Sequence, residues 1–229
     1  SRTHRETPHP ARDTTPAVVS RAESDVSREG AWDRGPAELG AGSAVLAFDV
    51  GGTDIKSALF DADGVMFGLC RTPTPDAGPD LPERLIARLV ELGARLRQEY
   101  PGVDPVAVGL IVPGIVDEVA GVGVFASNMG WRDAPIRALA EEAFGLPVAF
   151  DHDVRTGGWA EQVLGGARGY RDVVVLIIGT GIAGALLVGG VPLTSGGFAG
   201  EIGHSPVADA PLCACGARGC LEAIASAGA

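Results

Sequence analysis

The sequence predicts an α/β fold in which helices flank a mixed β-sheet. Three short apolar runs between residues 45 and 71 are separated by turn-forming Gly and Asp residues, which is typical of an antiparallel meander. Helical and strand-like patterns then alternate along the chain, as they do in sheets layered with helices. The pattern restarts at Asp172 with a strand, a glycine-rich turn and a strand, which indicates a second, related unit.

The spacing of apolar residues predicts the individual strands and helices. The meander consists of the strands AVLAFDV, DIKSALF and VMFGLCR. Leucines between positions 81 and 96 recur at helical spacing and predict a helix that ends near Pro101. VAVGLIVPGIV is predicted as a buried strand that runs into a loop. Residues 134–144 and 154–164 are predicted as helices on either side of the strand PVAFD. The strands DVVVLIIG and AGALLVGG follow, and a last helix begins at Leu221.

We expect three regions along the 229 residues. Residues 1–43 lack periodicity and are rich in Ser, Thr, Pro and Gly, so they bury too little apolar surface to offset their ordering entropy and are predicted to be a disordered tail. Residues 44–170 contain the complete pattern of an N-terminal domain. Residues 171–229 start a second domain, because two strands, a loop and one helical turn cannot close a core alone.

The composition argues against several classes of protein. The formal net charge is −11, whereas sequence-blind binding to nucleic acid or to an anionic membrane needs clustered positive charge. No apolar run reaches the roughly 18 residues of a spanning helix. Four cysteines are too few for a disulfide scaffold in a chain of this length. We therefore expect a cytoplasmic protein with neither nucleic acid nor membrane as a partner.

Two glycine-rich turns have the composition of phosphate-binding turns. The first spans residues 51–53 and follows Asp49, and the second spans residues 179–181 at the start of the second unit. Glycine lets a phosphate approach backbone N–H groups, Thr53 adds a hydroxyl donor, and Asp49 could hold Mg²⁺ through water. A plain hairpin turn is the alternative for the first turn. The glycines at 179, 181 and 184 also fit a dinucleotide fingerprint, but the following segment is strand-like where that fingerprint requires a helix.

The sharpest local pattern is a cluster of one histidine and three cysteines, namely His204, Cys213, Cys215 and Cys220. Three thiolates and an imidazole are the ligand set of a closed tetrahedral zinc site, which leaves no position open for a substrate water and is therefore structural. A disulfide is the competing interpretation. It is disfavoured because a Cys-x-Cys pair is strained and nothing in the sequence indicates export.

The segment Asp151-His152-Asp153 stands between a predicted strand and a predicted helix. A carboxylate at such a junction can cap the helix. Alternatively, one of the two aspartates is a general base that faces a substrate hydroxyl. The residues alone leave both interpretations open.

Six segments resemble motifs of one family and occur in its order and spacing. They are DVGGTDIKSAL (49–59), SNMGWRDAPI (127–136), DHDVRTGGWAE (151–161), GTGIAGALLVGG (179–190), GEIGH (200–204) and CACGARGCLE (213–222). On these segments the sequence resembles the ROK family (repressors, open reading frames and sugar kinases), whose fold is the actin-like, ribonuclease H-like one. The resemblance covers residues 44–229 and implies a complete N-terminal actin-like domain followed by part of a second.

The resemblance also implies an activity, namely ATP-dependent phosphorylation of a hexose, with glucokinase as the first expectation. The implied cofactors are ATP, nucleotide-bound Mg²⁺ and a structural Zn²⁺, and the implied partners are the hexose and a second copy of the chain in a dimer or tetramer. Asp153 matches the family's catalytic base. The residues matched to sugar contacts are Asn128, His152, Asp153, Glu201, His204 and Glu222. The residues matched to the nucleotide site are Asp49, Gly51, Gly52, Thr53, Gly179, Thr180 and Gly181.

Two of these matches carry a particular expectation. His204 is expected to bind zinc through one ring nitrogen and sugar through the other, within the zinc set of His204, Cys213, Cys215 and Cys220. His152 stands where the family often has Asn, so the sugar contact at this position is expected to differ.

Other functions are compatible with the same family. A sugar-sensing repressor would need an N-terminal DNA-binding domain, which residues 1–43 do not resemble, and a kinase for N-acetylmannosamine or another amino sugar would share the motifs. A remnant that binds sugar without transferring phosphate is a third alternative. The family's second domain continues beyond the zinc motif, so we expect weak or absent kinase activity in this chain by itself.

Overall fold

The computed structural model describes residues 42–229, and the predicted tail over residues 1–43 lies outside them except for its last two residues. The helices are α1 (Leu81–Glu99), α2 (Ile136–Phe144), α3 (Asp153–Val163) and the short α4 (Glu222–Ala225). The strands are β1 (Val45–Val50), β2 (Asp54–Phe60), β3 (Met66–Pro73), β4 (Ala107–Val112), β5 (Ile115–Asp117), β6 (Val122–Ala126), β7 (Trp131–Ala134), β8 (Val148–His152), β9 (Val173–Ile178), β10 (Ile182–Val188) and β11 (Val191–Pro192).

The central sheet has five strands in the order β3-β2-β1-β4-β8. The predicted meander forms its antiparallel half, since β1 pairs with β2 and β2 with β3 in opposite directions. Strands β4 and β8 continue the sheet in parallel to β1, which requires the crossover segments that contain α1 and α2. The mixed sheet with flanking helices is thus confirmed, and the parallel strands bring the ends of β1, β4 and β8 to one edge.

Helix α1 covers one face of this sheet with the leucines that predicted it. Leu85 and Leu89 are fully buried, and Leu92 and Leu96 are 3% exposed. Pro82 stands in the first turn, where its missing N–H costs no hydrogen bond. The apolar face of α1 packs with Leu46 and Phe48 of β1 in a single continuous core. This core supports the sheet edge at which β1, β4 and β8 end.

The sequence pattern does not predict the second small sheet, which is formed by β5, β6 and β7 in that order. Residues 106–116 are predicted as one strand that runs into a loop, whereas the structure divides them between β4 and β5. Helix α2 is predicted from Ala134, whereas Ala134 ends β7 and the helix starts at Ile136. Strands of three to five residues are too short to show a two-residue alternation. This sheet matters for the site, because the turn between β6 and β7 carries Asn128.

A third sheet, in the order β11-β10-β9, packs against α3 through β10. The apolar run of β9 is typical of a strand buried on both faces. Among the described residues, however, Val174, Leu176 and Ile178 are 67%, 50% and 58% exposed. No helix of residues 42–229 has the length and apolarity that crossing a bilayer demands.

The contact between α3 and β10 depends on Gly158, which is buried, and we expect substitution there to be costly. A Cβ at Gly158 would overlap the Ala185 side chain, so Gly158→Ala should lower the free energy of unfolding by about 1–3 kcal/mol in urea denaturation. Gly157 is the matched control, because a Cβ there would lie 3.8 Å from Ile177 Cδ1. Gly157→Ala should instead stabilise the helix by about 0.5–1 kcal/mol. Equal effects of the two substitutions would contradict this packing.

Candidate functional site

Asp153 lies at the junction where β8 ends and α3 begins. Its Oδ1 accepts a hydrogen bond of 2.7 Å from the backbone N–H of Val154. Burial is the main cause that raises the pKa of Asp153 to about 6, and the charges of Asp49 and Glu201 contribute to this rise against the opposing effect of that hydrogen bond. A carboxylate that titrates this close to neutral pH is suited to accept a proton from a hydroxyl group.

His152 is 5% exposed, and its imidazole stabilises the start of α3. Its Nδ1 accepts the backbone N–H of Arg155 at 3.3 Å and so caps α3, a role that the sequence analysis considered for an aspartate. The proton of the neutral ring therefore lies on Nε2, which is 3.4 Å from Asp153 Oδ1. Burial, followed by the charge of Arg155, lowers the pKa of His152 to about 4, so the ring is uncharged at neutral pH.

Three more acidic side chains surround this junction. Asp49, at the end of β1, accepts a hydrogen bond of 2.6 Å from Lys56 Nζ of the neighbouring strand. Glu201 precedes a 3₁₀ turn, and burial together with the charge of Glu222 raises its pKa, against the influence of His204. Asp49, Asp153, Glu201 and Glu222 thus form a chain of mutually repelling carboxylates within reach of one another's charge.

Each predicted phosphate turn lies against a predicted sugar contact. A Cβ on Gly52 would lie 2.6 Å from Asn128 Nδ2, so the Asn128 amide packs on the first turn. In the second turn, Glu222 Oε2 accepts the backbone N–H of Ile182 at 3.0 Å, and a Cβ on Gly181 would overlap the Glu222 carboxylate. A side chain at either position would therefore have to displace the end of Asn128 or Glu222.

The histidine and the three cysteines of the predicted metal site lie together, with their ligand atoms all within 4.8 Å of one another. Cys213 Sγ is 3.6 Å from His204 Nδ1, and Cys215 Sγ is 3.7 Å from Cys220 Sγ. Ligands about 2.3 Å from a tetrahedral zinc ion lie about 3.8 Å apart, so the four residues could hold such an ion. All three are free cysteines.

The opposite nitrogen of His204 faces the acidic residues. Its Nε2 is 3.8 Å from Glu201 Oε2, while its Nδ1 faces the cysteine sulfurs. The loop that could bind a metal is therefore joined to the acidic residues through one imidazole ring. Leu221 N–H also donates to the Ser205 carbonyl at 3.0 Å, which ties the start of α4 and Glu222 to the residue after His204.

The sequence analysis missed Arg155, which is 2% exposed in the first turn of α3. Its Nη2 donates to Asp151 Oδ1 at 3.2 Å and to Glu118 Oε2 at 3.1 Å. An arginine in a first helical turn runs against the helix dipole, and this was the available signal of a special role. The two acidic partners could not have been found, because Glu118 is 37 positions away in sequence.

A sequence profile of the ROK family matches residues 45–229. This chain belongs to the ROK family. Its fold is similar to the crystal structure of a ROK family glucokinase from Streptomyces griseus in complex with glucose and AMPPNP. The TM-score is 0.67 and the sequence identity is 30%, and the match covers 80% of this chain and 57% of that one. The actin-like fold expected from the resemblance is thereby confirmed.

Curated relatives of this ROK protein include enzymes and regulators. The chain is 36% identical to the glucokinase of Streptomyces coelicolor over 184 residues, which are 79% of this chain and 56% of that protein. It is 28% identical to the xylose repressor of Bacillus spizizenii, over 79% of this chain and 47% of that protein. The chain therefore spans about half the length of the relatives that it matches.

The raised pKa of Asp153 has a consequence for the stability of this ROK protein. Between the ordinary pKa of an aspartate and about 6, the folded chain binds more protons than the unfolded chain, so this residue lowers stability as the pH rises through that window. Asp153→Asn should raise the free energy of unfolding at pH 7.5 by about 3 kcal/mol and should change it little at pH 4.

Urea denaturation at the two pH values measures this difference. The exposed Asp104 supplies the control, since Asp104→Asn should change stability equally little at both. A destabilised Asp153→Asn variant at pH 7.5 would contradict the assignment of a desolvated carboxylate at this position.

Proposed function

We propose that this ROK protein transfers the γ-phosphoryl group of ATP to a hexose, with glucose as the first candidate and Asp153 as the general base. The observation that carries the proposal is the Asp153 carboxylate, which is held largely out of water beside Asp49 and Glu201 and has a pKa of about 6. The 36% identity to the S. coelicolor glucokinase supports the same assignment.

The proposed chemistry assigns separate tasks to the two sides of the site. Asn128, Glu201, His204 and Glu222 would hold individual sugar hydroxyls, because fixed acceptors and donors lock the orientation of a polyol. Asp153 would accept the proton of the 6-hydroxyl as its oxygen forms the new bond to phosphorus and the bond to the departing ADP breaks.

The donor nucleotide is assigned to the two glycine turns. Their backbone N–H groups would contact the phosphates, and Asp49 would lie near nucleotide-bound Mg²⁺, which neutralises charge on the transferred group when it is bound. Lys56 Nζ, at 2.6 Å from Asp49 Oδ2, supplies a fixed positive charge on the same side. Phosphoryl transfer depends mainly on such positioning and charge neutralisation, so the arrangement suits it.

We assign a structural zinc ion to His204, Cys213, Cys215 and Cys220. All four positions of a tetrahedral ion would be filled by protein, so the ion would hold the loop and take no part in the transfer. The loop lies in sequence between Glu201 and Glu222, and its histidine faces Glu201, so the ion would fix both carboxylates in position.

A sugar-responsive regulator is the second candidate, favoured by the 28% identity to a xylose repressor. Such a protein would bind sugar at the same carboxylates without needing Asp153 as a base. A gel-shift experiment on promoter DNA separates the two functions, because only the regulator must bind DNA. Binding of an amino sugar in place of glucose would select the N-acetylmannosamine kinase alternative.

The kinase proposal predicts a specific effect of Asp153→Asn. In a version extended through the full reading frame, this substitution should lower kcat for glucose phosphorylation about 10²–10⁴-fold, because the general base is lost. Glucose affinity, measured by calorimetry, should change much less. The assay is an ATP-coupled hexokinase assay, run in parallel on this chain and the extended version and screened over several sugars.

Asp63→Asn is the matched control for that assay, because Asp63 is exposed in the turn after β2. This variant should keep the unaltered rate. Undiminished turnover in Asp153→Asn would remove Asp153 from the role of base, and glucose binding without any phosphorylation in the extended protein would favour the sugar-binding alternatives.

The zinc assignment predicts one zinc ion per purified chain, detected by plasma mass spectrometry. Cys220→Ala should abolish the stoichiometric zinc and lower the melting temperature, because the fully buried Cys220 is one of four ligands. Cys70→Ala is the control, since Cys70 lies in β3 outside the cluster and should leave the zinc content at one. A metal-free unaltered chain would disprove the assignment.

A further inference from the structure

Arg155 is the one buried arginine among the described residues, and its surroundings are unusual for so large a charge. Its Nη2 donates to Asp151 Oδ1 at 3.2 Å, to Glu118 Oε2 at 3.1 Å and to the Val116 carbonyl at 3.4 Å. Burying a guanidinium is expensive unless charged partners compensate it. The two carboxylates compensate the charge at Nη2, while Nε and Nη1 are buried without a hydrogen-bond partner among the described residues.

These three contacts reach three different parts of the fold. Asp151 lies near the end of β8 in the central sheet, Val116 lies in β5 of the small sheet, and Glu118 follows β5. The small sheet continues through β6 into the turn that carries Asn128. Arg155 therefore joins the segment bearing Asn128 to the junction bearing Asp153, which it adjoins on α3.

We propose that Arg155 is a positioning residue that holds the small sheet, and with it Asn128, at a fixed distance from Asp153. The proposal rests on the proposed function, in which Asn128 holds the sugar whose hydroxyl faces Asp153. All three hydrogen bonds come from the single nitrogen Nη2. A guanidinium suits this task because its rigid plane holds that nitrogen in one direction, whereas an ammonium group is a point charge on a flexible stem.

Arg155 also influences the pKa of His152. Burial has the largest effect on the pKa of His152, the charge of Arg155 lowers it further, and Asp151 opposes them. The other charged groups at this junction are Asp153, whose Oδ1 is 3.4 Å from His152 Nε2, and Asp49 and Glu201, which face Asp153. Loss of Arg155 would leave Asp151 without its cation, so the pKa of His152 would rise.

The test combines two readouts on Arg155→Met, which keeps much of the volume and removes the charge. Nuclear magnetic resonance titration of this chain measures the imidazole of His152, identified by its absence in His152→Asn. We expect its pKa to rise by at least one unit from about 4. This shift would show that the charge of Arg155 acts on His152, and the kinetic readout tests the positioning of Asn128 separately.

The second readout is kinetic and uses the version extended through the full reading frame. In Arg155→Met we expect the hexose KM to rise at least tenfold with a smaller change in kcat, because Asn128 loses its fixed position. Arg155→Lys should recover part of the His152 pKa and little of the KM, since a flexible ammonium restores the charge without the rigid plane that holds Nη2 in place.

Glu118→Gln keeps the proposal testable if Arg155→Met does not fold. It removes the charge at the small-sheet end only, so the hexose KM should rise several-fold while the pKa of His152 stays near 4. Glu83→Gln, at an exposed position of α1, is the matched control and should change neither value.

The outcomes separate this inference from the proposed function. An unaltered protein that binds no hexose in calorimetry disproves the proposed function, and the positioning role fails with it. If the unaltered protein binds hexose, and the hexose KM of both Arg155→Met and Glu118→Gln stays within twofold of the unaltered value, only the role of Arg155 is disproved. An unchanged His152 pKa in Arg155→Met disproves the electrostatic part.

Discussion

The site depends on the removal of one carboxylate from water at the junction of β8 and α3. Asp153 is held there beside two other acidic side chains, and burial contributes most to its raised pKa. Such an arrangement opposes folding, because a desolvated carboxylate is more stable in the unfolded chain at neutral pH. Carboxylates that oppose folding in this way cluster at functional sites, where a shifted pKa serves proton transfer.

Residues around Asp153 offset the unfavourable charge of the neighbouring carboxylates. Asp49 has the Lys56 ammonium at 2.6 Å, and Asp151 has the Arg155 guanidinium at 3.2 Å. His152, between Asp151 and Asp153, stays uncharged, and its Nδ1 accepts the hydrogen bond that caps α3. No lysine or arginine among the described residues pairs with Asp153, which leaves its carboxylate available to accept a proton.

Two segments that are distant in sequence place further predicted site residues against the glycine turns. The small sheet supplies Asn128 on the first glycine turn, and Glu222, the first residue of α4, lies against the second. The glycines leave room for these side chains, so the pattern that predicts a phosphate turn also creates space for a neighbour. The cysteine cluster and Glu201 meet at opposite edges of His204, which couples the geometry of the loop to the acidic residues.

The sequence by itself determined the mixed sheet, the order of its elements and the segments that carry the motifs. Apolar periodicity and glycine turns are local signals, and strands as long as β1 or a helix as long as α1 display several periods. Strands β5 to β7 are too short to do so, and α2 begins two residues later than its pattern indicates because Ala134 pairs with Gly123 of β6. For the site, local motifs identified the glycine turns and the cysteine cluster as candidates, and the family resemblance identified Asp153. Only the tertiary structure decided that His152 caps a helix and that Arg155 joins Asp151 to Glu118, because these roles arise from burial and from contacts across 37 positions of sequence.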